Sequence, residues 1–462
     1  MLARLASSVR MGELSSEELV RRALDRIERS NPDLNAVVLN RGDAAIEDAK
    51  ACDARVAAGE DPGRLAGLPL LVKDNEDVEG LPTRFGSLLR AGAAPAAEDC
   101  EVVSRLRGAG AVVVGKTNVP EFAFEGFTAN RLFGVTRNPW GPEWSPGGSS
   151  GGSAAALASG MVPVATGTDG GGSIRIPAAF CGLVGLKPTN GSIGLWPPPS
   201  WIDLSTKGPL CTSVADARLL LDVMRGPIAG APSAAPPWQP RTDRRPGRIL
   251  ATPRLVAHDS PLSSGLLSSF EAALRTLEGA TGSAVERIDS PFSPQLDDDW
   301  FVMVAVEELT WIGRDVAAAR ADEMTPYFRT ALGIAAEISL DDYMAARRRR
   351  FGFTRDFDLL VGIDAVVVCP TMCVEGFPAD GVLPGAEDPG TEGLHYNNQP
   401  ANVTGHPSLS VPAGLSENGI PFGLQITGPR YADDLVLSVG EAFEAATPWP
   451  VSAPGYDAFE VP

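Results

Sequence analysis

With 462 residues, 44% of them apolar and 21% charged, the chain can bury a sizeable core and is no disordered tail. Its formal charge of −19 repels phosphate backbones and anionic headgroups, which argues against nucleic acid and membrane surfaces as partners. It also lacks an apolar run near the roughly 20 residues that cross a bilayer, a C-x-x-C among its six cysteines, and metal-ligand spacing among His258, His395 and His406.

The N-terminus shows no apolar signal-peptide core, and sparse cysteines suit a reducing compartment, so a cytoplasmic location is expected. Ser15-Ser16-Glu17-Glu18 has capping-box spacing ahead of Leu19, Leu24 and Ile27, which predicts a helix that Asn31-Pro32 stops. A second helix is expected over about 42–58. Leu68 to Val72 reads as a buried strand running into Lys73; a helix over 98–109 and the apolar run Ala111 to Gly115 extend an α/β pattern. Residues 141–195 are dense in glycine and serine, with Ala154 to Ser159 as a short helix closed by Gly160. The Pro/Ala/Arg-rich stretch 226–248 reads as a surface excursion. Beyond it, helices near 264–278, 298–320 and 341–356 alternate with strands at 285–288, 364–368 and 421–427, and a helix over 432–446 closes the chain. No repeat or linker divides the sequence, so one domain over 1–462 is expected.

Two glycine-rich clusters draw the chemical reading. Gly147-Gly-Ser149-Ser-Gly151 could be a flexible linker or the G-x-S-x-G nucleophile elbow of α/β-hydrolases. Against a linker, Trp140, Trp144 and Pro146 precede it and a small-residue helix follows. Against an elbow, no strand precedes it, and the available histidine, His406, lies between Gly405 and Pro407 as in a structural turn. The second cluster runs from Thr168 and Asp169 through Gly170, Gly171, Gly172 and Ser173 to Pro177, which suits the first position of a helix. Its glycines let the backbone approach a ligand closely. Amides converging near Ser173 would hold negative charge, and with no Gly-Lys-Ser/Thr following, an oxyanion fits better than a phosphate. A tight turn without chemistry is the plain alternative.

A serine beside such a pocket needs a base, and histidine is nearly absent. Burial disfavours an ammonium and lowers its pKa toward neutrality, so a lysine can serve. Only five of the 39 basic residues are lysine, and Lys73, Lys116 and Lys187 each adjoin a buried apolar run. Local sequence does not choose among the three.

The segments GLPLLVKDN, PGGSSGGS and TGTDGGGSIRIPAAFCGLVGLKPT, in that order, resemble the amidase signature family over about 65–215. NQPANVTGHPSLSVPAG and PFGLQITGPRYADD are similar to its closing strands. The resemblance implies a single large α/β domain with a mixed central sheet flanked by helices. It implies a serine hydrolase that cleaves carboxylic amide C–N bonds through an acyl-enzyme, with no metal or organic cofactor. By motif position Ser173 would be the nucleophile, Ser149 a bridging serine after a cis Gly148–Ser149 peptide, and Lys73 the base, which settles the choice against Lys116 and Lys187. The amides of Gly170, Gly171, Gly172 and Ser173 would form the oxyanion hole, with Ser150, Asp169 and Arg175 in support. Gly170 departs from the family pattern, where Thr or Ile is common, but it keeps the amide.

Trp140, Trp144, Trp196 and Trp201, with Pro197–Pro199, lie near this segment and suggest an apolar or aromatic pocket, the plain alternative being ordinary core or rim residues. That favours small apolar or aromatic amides and anilides, with esters and carbamates open to the same oxyanion chemistry. The family alternative is the glutaminase component of the tRNA-dependent amidotransferase. That branch should carry an acidic residue where this chain has His395 or a neutral neighbour. A monomer or homodimer acting on a small molecule is expected.

Overall fold

Continuous apolar runs build the centre of the molecule. Leu70, Leu71 and Val72, and Val113 with Val114, have no exposed surface, as strands of a sheet covered on both faces require. The computed structural model describes residues 1–227, 245–383 and 397–460. Residues 228–244 of the expected excursion, and His395, lie outside the described residues.

The strands are β1 (Val37–Asn40), β2 (Pro69–Lys73), β3 (Val112–Thr117), β4 (Ala129–Asn130), β5 (Gly134–Val135), β6 (Val164–Asp169) and β7 (Val184–Lys187), followed by β8 (Thr206–Cys211), β9 (Arg248–Ala251), β10 (Val285–Arg287), β11 (Ala365–Pro370), β12 (Ser408–Leu415) and β13 (Pro421–Thr427). Among the described residues, 11 of them form one sheet in the order β1-β3-β2-β6-β8-β7-β12-β13-β11-β9-β10. β2 runs parallel to β3 and β6, while β8 is antiparallel to β6 and β7. The expected single-domain α/β architecture with a mixed, helix-flanked sheet is therefore the observed one.

Three local expectations are corrected. The first long helix, Ser16–Leu34, runs past Asn31-Pro32 and ends where Asn35 turns left-handed at φ 49°. Pro32 sits in its last turn, and Asn31 Oδ1 accepts from the amides of Ala36 and Val37 at 2.8 and 2.7 Å, tying the exit together. The helix expected over 298–320 divides at Gly313, φ 94°, into Gln295–Ile312 and Arg314–Ala319. Pro177 is the third residue of Arg175–Cys181 rather than the first; the amide it lacks is still one of the unpaired first-turn donors. Residue 248, the expected end of the excursion, begins β9. The helix Pro326–Glu337 had no expectation attached.

The Gly/Ser cluster is no linker. Helix Gly151–Ala158 is buried along its whole length and packs on β2, β3 and β6. Its glycines permit that: a Cβ at Gly152 would fall 2.6 Å from Asn118 O and 2.7 Å from Ala36 O. No helix among the described residues is long and apolar enough to cross a membrane.

Candidate active site

Because β2 and β6 are parallel neighbours, their C-terminal ends deliver Lys73 and Thr168–Asp169 to the same edge of the sheet, where open α/β sheets commonly hold ligands. Ser149 and Ser150 arrive there just ahead of helix Gly151–Ala158, and the Ser150 amide donates to Ser173 O at 3.1 Å. The Gly148–Ser149 peptide is cis. Lys73 has no exposed surface, and its Nζ donates to Ser149 Oγ at 2.7 Å and to Thr168 Oγ1 at 2.7 Å. Burial pushes its amine down to about 7, against the opposing pull of Glu76 and Asp169. A substantial fraction is therefore uncharged at neutral pH.

The two rival lysines are engaged elsewhere. Lys116 is ion-paired with Asp74 at 3.0 Å and donates to Thr83 Oγ1 at 2.9 Å. Lys187 donates to Pro188 O at 2.8 Å and Asn190 Oδ1 at 2.9 Å. Burial, aided by Arg175, pushes the Lys187 amine down to about 7 as well, without a serine to act on. His406 packs edge-on against Phe357 and faces Asp358 at 3.1 Å, a structural role that leaves the nucleophile-elbow reading without its base.

Asp169 and Arg175, both without exposed surface, organise the glycine loop. Arg175 Nη2 lies 2.8 Å from Asp169 Oδ1 and its Nε 2.9 Å from Oδ2, while Nη1 donates to Asn398 O at 2.9 Å and Nη2 to Asn402 Oδ1 at 2.7 Å. Burial works to raise the Asp169 carboxyl, but the charge and hydrogen bonds of Arg175, with the Lys187 charge and the Asn402 hydrogen bond, together outweigh it and hold the group well below the usual carboxylate range. The same carboxylate accepts the amides of Gly172 at 2.8 Å and Ile174 at 3.2 Å. This alters the expected oxyanion hole: the Gly172 amide is turned to Asp169. Among the described residues, no hydrogen bond engages the amides of Gly170, Gly171 or Ser173.

Ser149, Thr168, Gly170 and Ser173 line a cavity of about 270 Å³. Phe85, Phe122, Trp196, Trp201 and Trp311 form its aromatic wall, and Asn75, Glu76, Arg90, Glu101 and Lys207 its polar one. Lys207 is ion-paired with Glu76 at 3.1 Å. Trp140 and Trp144 do not line the cavity. Trp140 stacks on Trp449 with centroids 5.4 Å apart and donates to Cys181 O at 3.0 Å; Trp144 packs beside Gly376 and bridges to Pro378. Both are partly buried against the apolar cluster that holds Phe180 and Phe377, and nearness in sequence carried no information on direction. Sequence reasoning also missed Phe85, Phe122, Trp311 and Lys207 as lining residues and Trp300 as a neighbour of the loop. No motif marks them.

The site thus holds a buried amine hydrogen-bonded to Ser149, with Ser149 and Ser173 lining one cavity. Residues 18–437 match the Amidase family model, and the chain belongs to the amidase (amidase signature) family. It is 37% identical over 457 residues to the putative amidase AmiA2 of Mycobacterium tuberculosis, covering 96% of this chain and 92% of that protein. It is 33% identical over 468 residues to an acylamidase of Rhodococcus erythropolis, covering 96% and 95%. A glutamyl-tRNA(Gln) amidotransferase component from Thermosynechococcus vestitus is 33% identical over 474 residues, covering 95% and 96%. The crystal structure of a bacterial aryl acylamidase of the amidase signature family superposes with a TM-score of 0.87 at 30% identity, covering 96% of this chain and 95% of that one. The protein is an amidase signature hydrolase acting on C–N bonds.

Proposed function

We propose that the protein hydrolyses small amides carrying apolar or aromatic groups, with Ser173 as nucleophile, Ser149 as relay and Lys73 as base. The reading rests on the 2.7 Å bond between the buried Lys73 amine and Ser149 Oγ. A neutral amine has two N–H donors and one lone pair. Thr168 Oγ1 takes one N–H, which leaves the lone pair free to accept the Ser149 proton while Ser149 takes the proton of Ser173. Ser173 Oγ then attacks the carbonyl carbon. The oxyanion is met by the amides of Gly170, Gly171 and Ser173; losing one such donor typically costs about 2.7–4 kcal/mol of barrier. Ser149 returns a proton to the departing nitrogen, and water activated through the same relay frees the acyl group. Asp169, Arg175 and Ser150 hold the loop without touching substrate.

The aromatic wall and a volume near the lower end of ligand sites favour a compact aryl or apolar substituent over a long chain. Esters and carbamates present the same carbonyl and fall within its chemical reach. Similarity to the glutamyl-tRNA(Gln) amidotransferase component keeps glutaminase activity as the second reading. Fluorophosphonate labelling with peptide mapping tests the nucleophile: an adduct on Ser173 that disappears in Ser173→Ala supports it, and an adduct elsewhere contradicts it. A panel of anilides, aliphatic amides, carbamates and glutamine ranks the substrates. Preferred turnover of glutamine would displace the aryl amide reading.

A further inference from the structure

The oxyanion loop is held from outside the cavity, and the inference drawn from this rests on the hydrolase reading above. Gly170 C=O and Gly171 N–H belong to one planar trans peptide, in which they point in opposite directions. Trp300 Nε1 donates to Gly170 O at 2.9 Å. The bond that fixes this carbonyl therefore also aims the Gly171 amide the other way. Two indoles close on the same backbone: a Cβ at Gly171 would overlap the Trp300 ring, and one at Gly170 would overlap the Trp201 ring and lie 2.7 Å from Ser205 Oγ. Trp201 and Trp300 meet edge to face at 5.9 Å, and Trp201 Nε1 donates to the buried carboxylate of Glu308 at 2.7 Å. Trp300 and Glu308 sit on one helix, Gln295–Ile312, roughly two turns apart and so on one face.

We propose that helix Gln295–Ile312 positions the oxyanion hole, through Trp300, which aims the Gly171 amide, and through Glu308, which braces Trp201 against Gly170. Trp300 is a positioning residue: it touches the loop without lining the cavity. Trp201 does both, so the wall that meets the substrate and the clamp on the loop are one side chain.

In the full-length protein, Trp300→Phe keeps an aromatic ring and removes the donor. The expected result on an anilide or ester substrate is a fall in kcat of about tenfold with KM within about twofold, milder than the roughly 10²–10³ lost when a donor is deleted outright. Phenylboronic acid forms a tetrahedral anionic adduct on the serine, so its Ki should rise by the same factor, while a non-reacting amide analogue binds unchanged. Trp300→Gln, which restores an N–H donor, should recover part of kcat. A folded Trp300→Phe with kcat and boronate affinity both within twofold of the parent overturns the proposal, as does a loss confined to KM. If Trp300→Phe does not fold, Gly170→Ala probes the contact from the loop side: kcat should drop and partly return in Gly170→Ala/Trp201→Leu, and full activity in Gly170→Ala alone sinks the idea. The hydrolase reading fails separately, if boronate binding and turnover by the parent protein survive Ser173→Ala.

Discussion

A solvent-exposed lysine is almost fully charged at neutral pH; Lys73 is useful because its surroundings deny it water. Burial pushes its amine down to about 7, and in the proposed mechanism the base is the uncharged form. kcat/KM should therefore rise as pH climbs through about 7 and level off above it. In Lys73→Met that rise should vanish, with rates lower by roughly 10²–10⁴ and a thermal midpoint within a few degrees of the parent. A flat parent profile between pH 6 and 8 would remove Lys73 from the role. Lys187 shows why the lowered pKa alone is not enough: it shares the shift but has no serine partner. The local residues narrowed the base to three lysines and only the family resemblance chose Lys73, because what selects it lies 76 and 95 positions away, at Ser149 and Thr168. Glu308 offers a second titration. Burial pushes it up to about 7, opposed by its hydrogen bonds. A carboxyl whose folded pKa is raised stabilises the fold below its unfolded value near 4.5, and that contribution is lost as pH rises through about 7. Glu308→Gln should match the parent in melting temperature at pH 5 and gain on it at pH 8. Equal midpoints at both values would mean that folding does not raise the Glu308 carboxyl.

The glycine loop between β6 and helix Arg175–Cys181 is shaped by one guanidinium that serves Asp169, Asn398, Gln425 and Asn402 together. A lysine presents a single point and cannot span those partners. Arg175→Lys is expected to destabilise the fold by about 3–5 kcal/mol, the usual cost of breaking a buried pair. Chemical denaturation reads it, and a change under about 1 kcal/mol would make the pair dispensable. Elements differed in how plainly the residues announced them. Helices Ser264–Thr281 and Asp433–Ala446 follow from apolar spacing and lie within a few residues of their expected bounds. Helix Gly151–Ala158 begins three residues ahead of the expected Ala154, because two glycines look like loop until tertiary packing shows that only glycine fits. β6 and β7 lie within the glycine-rich stretch, which blurs their two-residue alternation. The break at Gly313 is a single left-handed residue inside an otherwise helical pattern.

Across the whole molecule, the decisive fact is strand order: β2 and β6 pair although β3 and helix Gly151–Ala158 intervene in the chain, and no local window of sequence contains that neighbourhood. The motifs carry the chemistry, and the sheet supplies the geometry that unites it. The charge of −19 adds a global strain of self-repulsion. Raising NaCl from about 20 to about 500 mM should increase the melting temperature by screening it; a decrease would show that surface ion pairs outweigh the repulsion. Finally, of the five lysines, Lys73, Lys116 and Lys187 have no exposed surface, and the Lys207 side chain is only 16% exposed against Glu76. Lys50, on helix Asp43–Ala57, stands in solvent with its side chain 47% exposed. A succinimidyl ester under mild conditions therefore meets a single freely reachable side-chain amine. With the Met1 α-amine tucked against Asp216, Lys50 is the favoured handle for a bead or a dye, and coupling there leaves the buried Lys73 amine untouched.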